Sequence, residues 1–164
     1  MLGLLNLPIN RGWKAMSTAH APIPSRAIDN VLAQNWLAFL ARLAVALPFL
    51  ISGIAKLFDL SGAMAEVRGL TGLEPAPLVA GLVILVQLGG SALLIAGSRH
   101  AWIGAALLAG FTAVATLYAH AFWLMPEGER FLHRNIFFEH VSIIGGVVLL
   151  AILAARSASG KRPR

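Results

Sequence analysis

The hydrophobic residues of the chain are gathered into four long runs that are separated by shorter polar stretches. An α-helix rises about 1.5 Å per residue, so about 20 mostly apolar residues cross the hydrocarbon core of a membrane, which is about 30 Å thick. Each run reaches this length. The pattern therefore predicts transmembrane helices over residues 36–58, 77–97, 101–123 and 136–155.

The connections between the runs indicate how these helices are arranged. Only residues 98–100 separate the second span from the third, so these two helices must be antiparallel neighbours. The other two connections are longer and contain most of the acidic residues. We therefore predict an all-α fold class, a membrane four-helix bundle that residues 35–156 form.

The two ends of the chain lie outside the predicted bundle. Residues 1–34 are interrupted by Pro8, Pro22 and Pro24. Proline breaks regular helices, so this segment is predicted to be a mostly irregular tail. Residues 157–164 form a second tail, which is basic.

Composition supports the membrane interpretation and excludes several kinds of chemistry. The 164 residues are 58% hydrophobic and only 12% charged, which is not the composition of a soluble domain. Cysteine is absent, which excludes disulfides, thiolate metal sites and iron–sulfur clusters on this polypeptide. The net charge is +6, but the basic residues lie mainly outside the apolar runs. This placement indicates membrane orientation rather than a nucleic-acid partner.

Lysine and arginine are distributed unequally between the two sides of the predicted bundle. One side carries Arg68, Arg130 and Arg134 together with most of the acids. The other side carries Arg11, Lys14, Arg26, Arg99, Arg156, Lys161, Arg162 and Arg164. Cytoplasmic segments of membrane proteins carry the excess of Lys and Arg, so both termini are predicted to be cytoplasmic.

The first two predicted spans contain two charged residues and one glutamine. Arg42 is near the cytoplasmic end of the first helix, Lys56 is near its outer end, and Gln87 is close to the middle of the second helix. A charged side chain at membrane depth needs a partner, water or the interface, and either cation could also extend to the nearer surface. We interpret Gln87 as an interhelical hydrogen-bond donor.

A polar cluster is predicted at the outer end of the bundle. Because the first and third helices run outward and the fourth runs inward, Lys56, His120, Glu139 and His140 reach similar depth. One interpretation is structural: Lys56 and Glu139 form an ion pair, and the histidines lie at the interface. Another is that a quinone or a small anionic solute approaches the cluster and accepts a hydrogen bond from Lys56 or an imidazole.

Haem or metal binding by the same residues would need a particular geometry. A bis-histidine haem would need His120 and His140 to face each other across an apolar gap. A metal site could use both histidines and Glu139, but spacing between separate helices specifies no geometry, so no metal site is predicted. Nucleotide-binding and hydrolase motifs are absent, and no catalytic residue is identified.

Glycines in the spans predict close contacts between helices, because small residues let two backbones approach each other. The candidates for helix packing are Gly53, Gly89, Gly90, Gly97, Gly145 and Gly146.

Several linked motifs resemble one known family. They are ARLAVALPFLISGIAKL with Arg42, Gly53 and Lys56, then GLTGLEPAPL, LVQLGGSALLIAG with Gly89, Gly90 and Gly97, HAFW with His120, and FFEHVSIIGGVVLLAI with Gly145 and Gly146. In this order and spacing, over residues 40–153, the chain resembles the DoxX family of small bacterial integral membrane proteins. One departure is Glu139-His140, where many relatives have a Lys-Asn pair.

The resemblance implies a multi-pass protein of the bacterial cytoplasmic (inner) membrane and a role in redox systems, since one related subunit belongs to a thiosulfate:quinone oxidoreductase. We therefore expect a small, non-catalytic membrane subunit of an oxidoreductase, with a quinone as the candidate ligand and no other cofactor. Expected partners are the lipid bilayer and a redox enzyme or a second copy of the chain. Two alternative functions are open. One is a transporter or permeation module for a proton or small solute, which is motivated by Arg42, Gln87 and Lys56 at successive depths. The other is a structural assembly factor.

Overall fold

The computed structural model describes residues 25–159, and within that part of the chain every regular element is helical. The helices are α1 (Ser25–Leu32), α2 (Asn35–Phe58), α3 (Leu60–Thr71), α4 (Ala76–Ala96), α5 (Ala101–Ala119), a short 3-10 helix (Phe122–Leu124) and α6 (Glu127–Ser159). Most of the predicted N-terminal tail and the end of the predicted C-terminal tail lie outside the described residues. The part of the N-terminal tail that is described includes α1.

Four helical segments are long and apolar enough to cross a membrane: Asn35–Phe58, Ala76–Ala96, Ala101–Leu124 and Glu127–Arg156. Large apolar side chains such as Leu78 and Leu85 are exposed on these segments, as lipid contact requires. The predicted all-α bundle with four spans is therefore confirmed.

The bundle has two ends of different charge. The acidic end holds the connection from α2 to α4 and the connection from α5 to α6, with the acids Asp59, Glu66, Glu74, Glu127 and Glu129. The basic end holds the short turn from α4 to α5, with Arg99, and the C-terminal end of α6, with Arg156.

The connection between the first two spans contains α3, a helix that the hydropathy pattern did not predict. The Asp59 carboxylate accepts hydrogen bonds from the Gly62 N–H and from the Ser61 hydroxyl, both at 2.8 Å, and so caps the start of α3. These two hydrogen bonds, first that of Gly62, lower the pKa of Asp59. Buried Ala63 and Val67 pack α3 against α4, so the helix is a fixed part of the acidic end.

The last helix begins earlier than the apolar run that predicted it. α6 starts at Glu127 and has 33 residues, so its length of about 50 Å exceeds the thickness of the hydrocarbon core. Glu127 and Glu129 lie in its first turn, where negative charge interacts favourably with the helix dipole. The extension carries charged residues, so hydropathy indicated a loop where the backbone continues as a helix.

The glycines differ in what they contact. A Cβ atom at Gly53 would lie 2.7 Å from the Leu88 side chain, and one at Gly104 would lie 2.5 Å from the Gly90 carbonyl oxygen, so these positions are close helix contacts. Gly146 has only Val45 nearby, at 3.8 Å.

Two of the predicted packing glycines do not lie at a close contact. A Cβ atom at Gly89 or Gly145 would meet no atom of a neighbouring helix within 4 Å in the described structure. The prediction that these two glycines mediate helix packing is therefore wrong, because they lie on open faces of their helices. Gly104, which mediates the contact between α4 and α5, was not among the predicted positions.

Candidate functional site

Lys56 is held by two partners at the acidic end of the bundle. Its Nζ lies 2.9 Å from Glu66 Oε2 on α3 and donates to the Ser52 Oγ on its own helix at 3.0 Å. The Lys56 side chain is 15% exposed and that of Glu66 is 50% exposed. An ion pair with Glu139 was one of two interpretations of Lys56, and it is wrong, because Glu139 is exposed and α3 brings Glu66 to Lys56 instead.

Gln87 is buried in the middle of the bundle, with 3% of its surface exposed. Its Nε2 donates to Ser52 Oγ at 3.1 Å, which is the interhelical hydrogen bond expected of this residue. Its Oε1 has no hydrogen-bond partner among the described residues. Gln87, Ser52, Lys56 and Glu66 thus form a continuous polar chain from the bundle interior to the acidic end.

The larger of two neighbouring cavities borders on this chain. It has a volume of about 250 Å³ and lies between α2, α3, α4 and α5. We call it the Lys56 cavity, because the Lys56 and Glu66 pair lines a wall that is otherwise almost entirely apolar. Its other lining residues include Val79, Val83, Phe111, Ala115 and Tyr118.

The smaller cavity has a volume of about 160 Å³ and we call it the Gln87 cavity. Gln87 and His140 line it together with Pro48, Phe49, Phe111, Thr112, Ala115 and Ile143. Phe111 and Ala115 of α5 line both cavities, so the two cavities are neighbours. Two of the four predicted cluster residues therefore line a cavity: Lys56 lines the larger one and His140 lines the smaller one.

Three histidines meet beyond the Gln87 cavity. The ring of His120 lies 5.1 Å from the ring of His133 and 5.3 Å from that of His140, measured between centroids. His120 follows the last residue of α5, whereas the other two lie on α6. The structure therefore brings the predicted His120 and His140 together, adds His133, and leaves Lys56 with Glu66 and Glu139 exposed.

The hydrogen-bond partners of these imidazoles determine which ring nitrogens carry hydrogen. Thr116 Oγ1 donates its one hydrogen to the Thr112 carbonyl at 2.6 Å. His140 Nδ1, at 2.7 Å from the same Oγ1, must therefore be the donor in that contact. In the neutral ring, His140 Nε2 is then a hydrogen-bond acceptor.

The second pair of rings, His133 and His120, also has a defined donor and a defined acceptor. His133 Nδ1 lies 3.1 Å from the Ala119 carbonyl oxygen, which can only accept, so this nitrogen carries hydrogen. It is also 3.0 Å from His120 Nδ1, which is therefore an acceptor. His133 Nε2 lies 4.0 Å from Glu129 Oε2, so a carboxylate lies beside the second ring nitrogen.

This arrangement does not fit the metal and haem alternatives. No group of three or more His, Cys, Asp or Glu side chains in the described structure is arranged to hold a metal ion. The Nδ1 atoms of all three histidines are already engaged in hydrogen bonds. The edge-to-face contact of His120 with His140 leaves no gap for a planar macrocycle between them.

His133 was missed because it precedes the apolar run that marks the last span. A signal was present: His133 and His140 are seven residues apart, which is about two turns of helix, so both side chains lie on one face. Glu129 lies one turn before His133 on that face. The pattern becomes informative only when the helix is known to begin at Glu127.

Arg42 lies apart from both cavities, near the basic end. Its Nε donates to the Ile95 carbonyl at 3.2 Å, and its guanidinium covers Gly97. Gly97 has a φ of 60° and ends α4, so any side chain at this position would be strained and would displace Arg42. Arg42 thus neutralises the carbonyl end of α4, where a cation is favourable.

A surface ion pair fixes the start of α4. Arg68 Nε lies 2.6 Å from Glu74 Oε1, and the Ala76 N–H donates to Glu74 Oε2 at 2.6 Å. The hydrogen bond from Arg68, followed by that from Ala76, lowers the pKa of Glu74.

Comparisons with known proteins agree with this architecture. The model of the DoxX family matches residues 37–121. The chain is 29% identical over 127 residues to the inner membrane protein YphA of Escherichia coli K12, a match that covers 77% of this chain and 89% of YphA. No solved structure matches the chain. Together with the four spans, these findings confirm a multi-pass protein of the bacterial inner membrane in contact with lipid.

Proposed function

Since the chain belongs to the DoxX family, we propose that it is a small, non-catalytic membrane subunit that holds a quinone for a redox enzyme. The Lys56 cavity is the observation that carries this proposal. Its volume of about 250 Å³ exceeds the cavities of about 150 Å³ that hold one benzene ring, so a substituted quinone ring fits. Its apolar walls suit the body of such a molecule.

Lys56 supplies the polar contact that a quinone needs. An ammonium group has three hydrogens, and Lys56 uses two of them on Ser52 and Glu66. The third hydrogen can donate to a quinone carbonyl oxygen, which only accepts. Glu66 balances the charge, so the ammonium group is stable at this depth without a charged ligand.

Purification in a mild detergent, followed by mass spectrometry of bound lipids, quinones and proteins, tests the proposal. We expect the wild-type chain to retain a quinone and to purify with a redox enzyme. Lys56→Met should lose most of the bound quinone, because it keeps the length of the side chain and removes its hydrogen-bond donor. Arg42→Met is the matched control, since it removes an intramembrane cation at the opposite end of the bundle.

The proposal fails if the wild-type chain retains no quinone, purifies without a redox enzyme, and can be deleted without effect on respiration or oxidant sensitivity. Tolerance of both Lys56→Met and His120→Ala in the cell would instead support a structural assembly factor. The mass of the purified complex distinguishes a redox partner from a second copy of this chain.

The polar chain from Gln87 to Glu66 favours a second candidate function, the permeation of a proton or small solute. Ser52 Oγ accepts from both Gln87 and Lys56, so hydrogen-bonding groups continue from the buried centre to the exposed Glu66. Proteoliposomes containing the purified chain should then show flux, and Gln87→Leu should abolish it. Absence of flux in the wild type would rule this function out.

A further inference from the structure

We infer that the Gln87 cavity is a separate binding site for one aromatic ring that carries a hydroxyl group, with Gln87 as the hydrogen-bond partner of that hydroxyl. Gln87 and His140 define this site, and neither of them lines the Lys56 cavity. The inference therefore goes beyond the proposed quinone site and does not rest on it.

The size and walls of the cavity indicate a single six-membered ring. The cavity is partly open, and its volume of about 160 Å³ is close to that of an enclosed engineered cavity of about 150 Å³ that binds benzene. Phe49 and Phe111 contribute aromatic walls and stand edge to face, with ring centroids 6.5 Å apart. Pro48 and Ile143 add aliphatic surface. A flat apolar ring matches these walls better than a linear solute does.

The hydroxyl is indicated by the orphaned amide atom of Gln87. Oε1 is buried and has no partner in the described structure, and a buried polar atom without a hydrogen bond costs about 1–3 kcal/mol. If the amide is turned so that Oε1 faces Ser52, the orphaned atom becomes a donor. A hydroxyl group satisfies both orientations, because it donates one hydrogen bond and accepts others.

His140 selects for the same chemistry. Its Nδ1 donates to Thr116, so the remaining polar atom of the neutral ring, Nε2, is an acceptor. An oxidised quinone offers only acceptor oxygens and cannot bond to it. A phenol or a quinol hydroxyl has one hydrogen for either acceptor, Gln87 Oε1 or His140 Nε2. When that hydrogen goes to His140, the Gln87 amide is turned so that its Nε2 donates to the hydroxyl oxygen. The two neighbouring cavities therefore differ in polarity: Lys56 donates in one, whereas His140 accepts in the other.

Binding of phenol and of benzene to the full chain in lipid nanodiscs tests the inference, with calorimetry and empty nanodiscs as the blank. The rings have similar size, so the cavity walls contribute similarly to both. We expect phenol to bind about fivefold more tightly than benzene, the ratio that one buried neutral hydrogen bond supplies. Equal affinity for phenol and benzene overturns the inference.

Paired variants locate the bound ring. Ile143→Phe fills the Gln87 cavity, so phenol loses its contacts with the cavity walls. Phenol binding should therefore weaken at least tenfold. Val83→Phe fills only the Lys56 cavity and should leave phenol binding unchanged. If Val83→Phe abolishes phenol binding while Ile143→Phe does not, the ring occupies the other cavity and the inference is wrong.

A conservative variant tests Gln87 without filling the cavity, so that a loss of binding by misfolding is not mistaken for the loss of the site. Gln87→Met keeps the side-chain length without the amide and should reduce the preference for phenol over benzene to near unity. An unchanged preference in a variant with a wild-type circular dichroism spectrum overturns the assignment of Gln87. Val83→Phe, which fills the proposed quinone cavity, should leave phenol affinity unchanged, so the two proposals fail separately.

Two sources could supply such a ring, a free phenol or the head group of a membrane quinol. Displacement of phenol by a quinol with a short alkyl tail assigns the site to membrane quinol. Continued phenol binding in the presence of that quinol assigns it to a free phenol. Both outcomes support an aromatic hydroxyl as the recognised group.

Discussion

The contact between α4 and α5 allows a prediction with a matched control in the same helix. A Cβ atom added at Gly104 would lie 2.5 Å from the Gly90 carbonyl oxygen and 2.9 Å from the Leu94 nitrogen. Both of these neighbours are backbone atoms, which cannot turn aside as a side chain does. Gly104→Ala therefore forces the two helices apart by roughly an ångström, since ordinary contact begins at 3.4 Å.

The expected loss is about 2–3 kcal/mol, in the range measured for overpacked cores, because the separation also loosens Leu108 and Leu94. The control is Gly110→Ala, where an added Cβ atom would meet nothing within 4 Å. That change should stabilise the chain by about 0.5–1 kcal/mol, since alanine loses less backbone entropy than glycine in a helix.

Reversible unfolding in detergent micelles, followed by circular dichroism at increasing denaturant, measures both variants against the wild type. The difference between them should be about 3 kcal/mol in favour of Gly110→Ala. If the two variants are equally stable, the backbones of α4 and α5 are not in close contact at Gly104, and this prediction is refuted.

Three further predictions concern the surface, the orientation and the histidines. The Arg68 and Ala76 hydrogen bonds lower the pKa of Glu74, so this residue stabilises the folded chain above its unfolded pKa of about 4.5, and the stabilisation is lost as the pH falls through the lower folded pKa. The stability gap between wild type and Glu74→Gln should therefore be present at neutral pH and should close as the pH falls below about 4.5. A gap that stays constant on acidification would contradict the ion pair. The chain has no cysteine, so Ser98→Cys should react with an impermeant thiol reagent only from the cytoplasmic side and Gly69→Cys only from the outside; the reverse pattern would invert the predicted orientation. Nitrogen NMR should show His140 with hydrogen on Nδ1, and the other tautomer would contradict the Thr116 assignment.

Local features of the chain could be predicted from the sequence, because hydropathy and helix length act within one segment. The apolar runs determined the four spans and the all-α bundle. The polar residue Gln87 in an apolar run indicated an interhelical hydrogen bond, which the structure contains. Capping signals for α3 were also present, with Asp59 before its first residue and Gly72 after its last, although the weak hydropathy of this segment concealed the helix.

Contacts between distant segments were decided only by the tertiary structure. Similar depth placed Lys56 near Glu139, but depth says nothing about the angle around the bundle axis, and α3 supplied Glu66 as the nearer acid. His133 joined His120 only because α6 continues beyond the membrane core. The two cavities lie where the side chains of neighbouring helices leave space between them unfilled. Their walls come from segments far apart in the chain, so no local pattern could predict them, whereas the four spans follow from each run alone.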